Sequence, residues 1–141
     1  MGRLGYVGNA AIRNLLRRAR TILVLGAHKD PSRTAHYVLA HLYQRGYRIL
    51  PVNPRFAGEV LFGERVRADL GEIQEAVEIL DVFRRGEALL GEVEKIRSLA
   101  PGVVWLQPGA EHPELEHAPR EAGLPVAAGA LPDGRTSEAP G

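Results

Sequence analysis

Apolar residues fall along this chain in two alternating rhythms: short unbroken β-prone runs, and stretches where they recur every third or fourth position. Ile12, Leu15, Leu16 and Ala19 make the first helical stripe, with Arg13, Arg17, Arg18 and Arg20 around it. That spacing predicts an amphipathic helix whose arginines form a solvated face. Thr21 to Leu25 is a continuous apolar run ended by Gly26, the pattern of a strand covered on both faces. A polar loop from Gly26 to Arg33 follows. Helical spacing then returns at Ala35, Val38, Leu39, Leu42 and Tyr43, and Gly46 stands where a left-handed cap is wanted. Tyr47 to Val52 predicts a second strand, which Pro51 and Pro54 prevent from running on into a helix.

The alternation continues. Val77 to Phe83 reads as a strand, Leu89, Val93 and Ile96 as a helical face, and Val103 to Leu106 as another strand. Pro113 to Ala122 has a helical pattern capped by Gly123, although Pro119 sits awkwardly inside it, and Pro125 to Ala128 predicts a last short strand. Residues 57–76 carry weaker signals, a short strand near Val66 and one helical turn around Gly71 to Ala76. Strands alternating with helices at this spacing predict an α/β fold. The expected form is a single Rossmann-like open parallel sheet of five to six strands with helices on both faces. One domain is expected over residues 1–128, with a flexible Gly, Pro and Ser rich tail over 129–141.

Composition narrows the function. The 141 residues suit one domain, and 18 Lys plus Arg against 17 Asp plus Glu leave a formal net charge of +1. No whole-molecule field holds a nucleic acid or an anionic membrane, so any phosphate site must be local. The absence of cysteine excludes disulfides, thiolate nucleophiles and Cys-based zinc sites. No apolar run reaches the ~20 residues of a membrane helix, and a cytoplasmic protein is expected. His36 with His41, and His112 with His117, are spaced five apart, which does not put two ligands on one helix face.

In an open parallel sheet, ligands bind beyond the carboxyl ends of the strands, where strand order reverses. The first strand is followed by Gly26-Ala27-His28-Lys29-Asp30-Pro31-Ser32-Arg33, leading into a helix N-terminus. Backbone N–H groups there favour an anion, and Lys29, Ser32 and Arg33 can add charge and hydrogen bonds. An ordinary loop with Ser32 or Thr34 capping the helix fits the same residues. Only Gly26 is present, so the segment is neither a GxGxxG fingerprint nor a P-loop. His28 lies in this loop with no matched nucleophile or carboxylate to make an acid and base pair, and a neutral imidazole is expected.

The second strand ends in Val52-Asn53-Pro54-Arg55. An NAD site would place Asp or Glu here for the ribose hydroxyls; an amide and a cation suit a ribose carrying an extra phosphate, or simply a rigid turn. Phe83-Arg84-Arg85 follows the next strand, its two guanidinium groups able to grip phosphate and its ring able to line a ligand or fill the core. Gln107 and Gly109 follow the strand containing Trp105, which should pack inside.

Taken in order, Thr21 to Ala27, Pro31-Ser32-Arg33 with His36, Gly46-Tyr47, Pro51 to Pro54, Asp81 to Arg84, and Val104 to Gln107 with Gly109 resemble the small stand-alone CoA-binding proteins. These are similar to the N-terminal CoA-binding domain of the succinyl-CoA synthetase α subunit. The resemblance runs from about Leu15 to Val126. It implies a domain that binds coenzyme A or an acyl-CoA, with the loop after the first strand on phosphates and the Val52-Asn53-Pro54 and Phe83-Arg84 segments lining the nucleotide site. The synthetase's ligase chemistry needs a further domain with a phosphorylated histidine, so binding without a reaction is expected. Relatives of this kind usually close with Asp-Arg-Cys, where this chain reads Val126-Ala127-Ala128-Gly129; the role of that cysteine does not carry over. The expected partner is the small-molecule ligand, with no nucleic acid or membrane and no protein partner specified. An NADP-linked oxidoreductase domain would use the same loop and Arg55, and a nucleotide fold retained as a protein-interaction module is a third reading.

Overall fold

A computed structural model describes residues 9–83, 91–106 and 126–128. Helix α1 (Asn9–Arg18) leads into β1 (Thr21–Leu25), followed by α2 (Thr34–Gln44) and β2 (Arg48–Val52). A 3-10 turn (Pro54–Phe56), a hairpin of β3 (Val60–Leu61) and β4 (Glu64–Arg65), and a second 3-10 turn (Leu70–Glu72) come next. The chain continues through β5 (Ile79–Val82), α3 (Val93–Leu99), β6 (Val103–Leu106) and β7 (Val126–Ala128). The main sheet has five parallel strands in the order β2-β1-β5-β6-β7. After β2 the chain crosses back over β1 to start β5, so strand order reverses between β1 and β5.

Each strand alternates between two cores. Ile22, Val24, Ile49, Ile79, Val103, Trp105 and Ala127 pack with Leu16 and Ala19 from the α1 end and Leu39 and Leu42 of α2. Leu23, Leu25, Leu50, Val52, Leu80, Val82, Val104, Leu106 and Val126 pack on the other side with Leu70, Ile73, Val77 and Ile96 of α3. Continuous apolar runs were therefore the right signal, because both faces of the sheet are covered. Trp105 is a core residue, as expected, and Phe83 is partly buried against the α1 and α2 side.

The interval 57–76 differs from expectation. Its strands are the two-residue β3 and β4, which meet through Phe62 and Gly63, both at positive φ (53° and 77°). A β-branched or bulky residue rarely takes the first of these places, where Asn or Gly is preferred. Phe62 is held there by ring contacts with His36 at 5.0 Å and Tyr43 at 5.6 Å. Val66 lies just past β4, bonding to Gly58 and Glu59, and the helical turn sits at Leu70–Glu72.

Beyond the hairpin, Arg67 lies along the outer side of β2. It accepts from the Asn53 amide and donates to the Pro51 carbonyl, at 2.9 and 3.0 Å. Pro51 has no N–H to offer on that outer side, which is why an edge strand tolerates it. Arg48 of β2 bonds Glu64 at 2.8 Å and also Glu75, and Arg67 bonds Glu64 at 3.2 Å, clamping the hairpin to the sheet edge.

Candidate functional site

Three strand ends are laced together at the carboxyl rim. The Gly26 amide donates to the Val52 carbonyl at 2.8 Å, and the Phe83 amide donates to the Leu25 carbonyl at 2.9 Å. Each continues a sheet ladder one step past its strand. Gly26 then turns away at φ +98°, a conformation that a side chain would strain. The loop it starts thus leaves β1 at the point of strand reversal, beside β5.

Inside the loop the hydrogen bonds are local. The Asp30 carboxylate accepts from the Ser32 amide (3.0 Å) and hydroxyl (2.9 Å), which hold its pKa below the ordinary value. The Asp30 amide donates to His28 Nδ1 at 3.0 Å, so that nitrogen is unprotonated and Nε2 carries the ring hydrogen. Burial, then Arg33 and Arg55, push the His28 pKa down, consistent with a neutral ring. Its Nε2 is buried without a hydrogen-bond partner among the described residues. The His28 carbonyl accepts from His36 Nδ1 at 2.8 Å, tying the loop to α2.

Neither Ser32 nor Thr34 caps α2. The N-cap is Arg33, with no side-chain cap, because Ser32 is turned back to Asp30 and Thr34 toward the Tyr37 hydroxyl. The start of this eleven-residue helix therefore has no side-chain cap, and the Arg33 carbonyl accepts from the His36 and Tyr37 amides at 2.9 and 3.0 Å.

Phe56, which the sequence did not single out, organises the cations. Its ring meets the His28 ring edge-on at 4.8 Å, with Lys29 Nζ at 5.6 Å and Arg55 Cζ at 5.1 Å from its centroid. The signal was present in Asn53-Pro54-Arg55-Phe56: Asn53 caps the 3-10 turn, accepting from the Arg55 amide at 2.9 Å, and Pro54 sits at its start. Arg55 is thereby exposed and Phe56 buried. The Asn53 Nδ2 donates to the Ala27 carbonyl at 2.8 Å, so its side chain links the two loops.

Of the residues expected at the site, Gly26, Ala27, His28, Lys29, Ser32, Arg33, Val52, Asn53, Pro54, Arg55 and Phe83 lie on this rim or its loops. Val52 and Ala27 are buried and offer only backbone. Lys29, Arg33 and Arg55 are exposed; Lys29 and Arg55 lie over the Phe56 ring, and the charges of Arg33 and Arg55 help lower the His28 pKa. Arg84, Arg85, Gln107, Gly109 and the proposed tail lie outside the described residues, as do His112, His117 and the 113–122 helix. Among the described residues no cluster of three metal-ligating side chains occurs, and no helix is long and apolar enough to cross a membrane.

The profile of the CoA binding domain family matches residues 20–130, which takes in the whole sheet and its rim. The chain belongs to this family. A curated relative, the uncharacterized protein YneT of Bacillus subtilis, is 34% identical over 117 residues, covering 83% of this chain and 85% of the relative. Among solved structures, a Thermus thermophilus protein described as cell-free ID.343 is 53% identical with a TM-score of 0.83, covering 90% of this chain and 95% of its own. A hypothetical protein from Pyrococcus horikoshii is 27% identical with a TM-score of 0.81, over 96% and 94% of the two chains.

Proposed function

We propose that this CoA-binding-family domain binds coenzyme A or an acyl-CoA at the rim between β1, β2 and β5 and performs no reaction of its own there. The carrying observation is the meeting of Lys29 and Arg55 over the Phe56 ring beside His28, with the exposed Arg33 at the start of α2, which has no side-chain cap. A pyrophosphate and a ribose phosphate together need several separated cations, and a helix N-terminus supplies amides and dipole to one of the anions. In this reading the Gly26 to Arg33 loop takes the pyrophosphate, and Arg55 takes the phosphate on the adenosine ribose. Phe83, with Arg84 and Arg85 after it, lines the nucleotide from the β5 side.

Binding alone is favoured by the state of His28. Its Nδ1 is committed to the Asp30 amide and its pKa is lowered, so it is not poised to accept a proton from a ligand. Calorimetry with CoA, dephospho-CoA, NADPH and NADH tests the assignment. CoA should bind most tightly, and raise the melting temperature through preferential binding to the native state. No heat with CoA at millimolar concentration, or preference for NADPH, would overturn it.

A further inference from the structure

Every hydrogen-bonding group of Asn53 is in use. Its amide donates to the Arg67 carbonyl (2.9 Å) and its carbonyl accepts from the Phe56 amide (3.1 Å). In the side chain, Oδ1 accepts from the Arg55 amide at 2.9 Å while Nδ2 donates to the Ala27 carbonyl at 2.8 Å. The carbonyl on one side and the amide on the other fix which way the carboxamide is turned. One residue therefore joins the phosphate-loop segment to the turn that presents Arg55.

We propose that Asn53 is a positioning residue that makes the rim selective for a phosphate-bearing ribose over an unmodified one. This rests on the CoA reading given above. At the same place in a dinucleotide site, a carboxylate accepts from the ribose hydroxyls. Here the group facing the loop is a neutral donor held by Ala27, and the oxygen is turned to the Arg55 amide, so the side chain offers a ribose diol no paired, charged acceptor. What the side chain supplies instead is register. It fixes the Arg55 backbone at a set distance from Ala27, and Arg55 is exposed, stacked near Phe56 and without an ion-pair partner among the described residues. The guanidinium is thus held where a second phosphate, separate from that in the loop, can meet it. A diol would find no carboxylate from Asn53 there.

The arrangement can be taken apart one bond at a time. Asn53→Ser keeps an oxygen near the Arg55 amide, since serine makes the same kind of turn, but it is too short to reach Ala27. Asn53→Asp keeps size and the Arg55 bond but sets an oxygen against the Ala27 carbonyl. Titration calorimetry of both variants and of the unaltered chain should be run with CoA and with dephospho-CoA, which lacks only the ribose phosphate. In Asn53→Ser, CoA affinity should fall roughly tenfold while dephospho-CoA affinity stays within about threefold, the expected scale for one misplaced charge-assisted bond. In Asn53→Asp the ratio of the two affinities should fall at least as far. Near-normal dephospho-CoA binding itself certifies that the variant is folded. An unchanged ratio in both variants, or equal losses for both ligands, would overturn the positioning role while leaving CoA binding intact. Failure of the unaltered chain to bind CoA would overturn both readings together.

Discussion

Two sets of basic residues, one along the β2 edge and its neighbours and one in the loops of the carboxyl rim, behave differently. At the β2 edge and the nearby 3-10 turn, Arg48, Arg67 and Lys95 each meet a carboxylate within 3.2 Å: Glu64 and Glu75, Glu64 again, and Asp69. At the carboxyl rim, Arg33 and Arg55 meet none among the described residues, and Lys29 reaches only Glu59, at 3.4 Å with both groups half exposed. Asp30, the other acid in the rim loop, is turned onto Ser32. The edge set is self-satisfied and structural. The rim set has no comparable partners among the described residues, which is what the proposed CoA reading requires. In the sequence the two sets look alike, because an arginine in a loop says nothing about whether an acid from 16 or 27 positions away will arrive beside it, as happens to Arg48.

The contrast can be broken most forcefully at the rim. Replacing Arg33 and Arg55 together by Ala should weaken CoA binding by roughly a hundredfold or more in calorimetry, since each charge-assisted bond is worth about 1.5–3 kcal/mol, and should leave the melting temperature little changed. The edge set should do the reverse. Arg48→Ala removes bonds to two acids and should cost about 1 kcal/mol of stability in a urea melt, the scale of two partly exposed pairs, with CoA affinity unaltered. If Arg48→Ala weakened CoA binding as much as the rim variant, the division would be wrong.

Acid provides a finer cut. Bonds from Arg48 first, then Arg67, hold the Glu64 pKa below its ordinary value of 4.5, against the opposing effect of burial. A lowered folded pKa means that the stabilisation is complete above the unfolded value and is lost as pH falls through the folded one. Stability should therefore drop below about pH 4.5, and Glu64→Gln should flatten that part of the profile; an unchanged slope would remove Glu64 from the clamp. The smallest expected effect is at Glu59. Glu59→Gln releases Lys29 and should tighten CoA binding by no more than about threefold, as an exposed pair contributes only about 0.2–1 kcal/mol. Weaker binding in this variant would show that Glu59 helps the site.

The legible parts of the chain are those whose structure follows from local pattern. β1 at Thr21–Leu25 and β6 at Val103–Leu106 coincide with the apolar runs, because strands buried on both faces have no polar alternation to confuse the reading. α2 was equally visible from its spacing, and Gly46, at φ +100°, does mark the turn after it. The hairpin was not. Its turn is Phe62-Gly63, and what keeps a phenylalanine there is contact with His36 and Tyr43, well separated in sequence. The site divides the same way. Strand-end position picked out two loops that the structure joins at the rim, whereas the hub at Phe56 and the double duty of Asn53 depend on contacts between loops that no spacing rule encodes. The alternative of a Ser32 or Thr34 cap is not realised, because the N-cap position falls on Arg33 and the Ser32 amide and hydroxyl both turn to Asp30.

The treatment of the β2 edge bears on how these molecules can assemble. With Pro51 lacking a donor and its carbonyl already engaged by Arg67, no second copy can add its own strand there to make a continuous sheet across two molecules. The side of the sheet nearest the exposed arginines is thereby kept from zipping onto a neighbour.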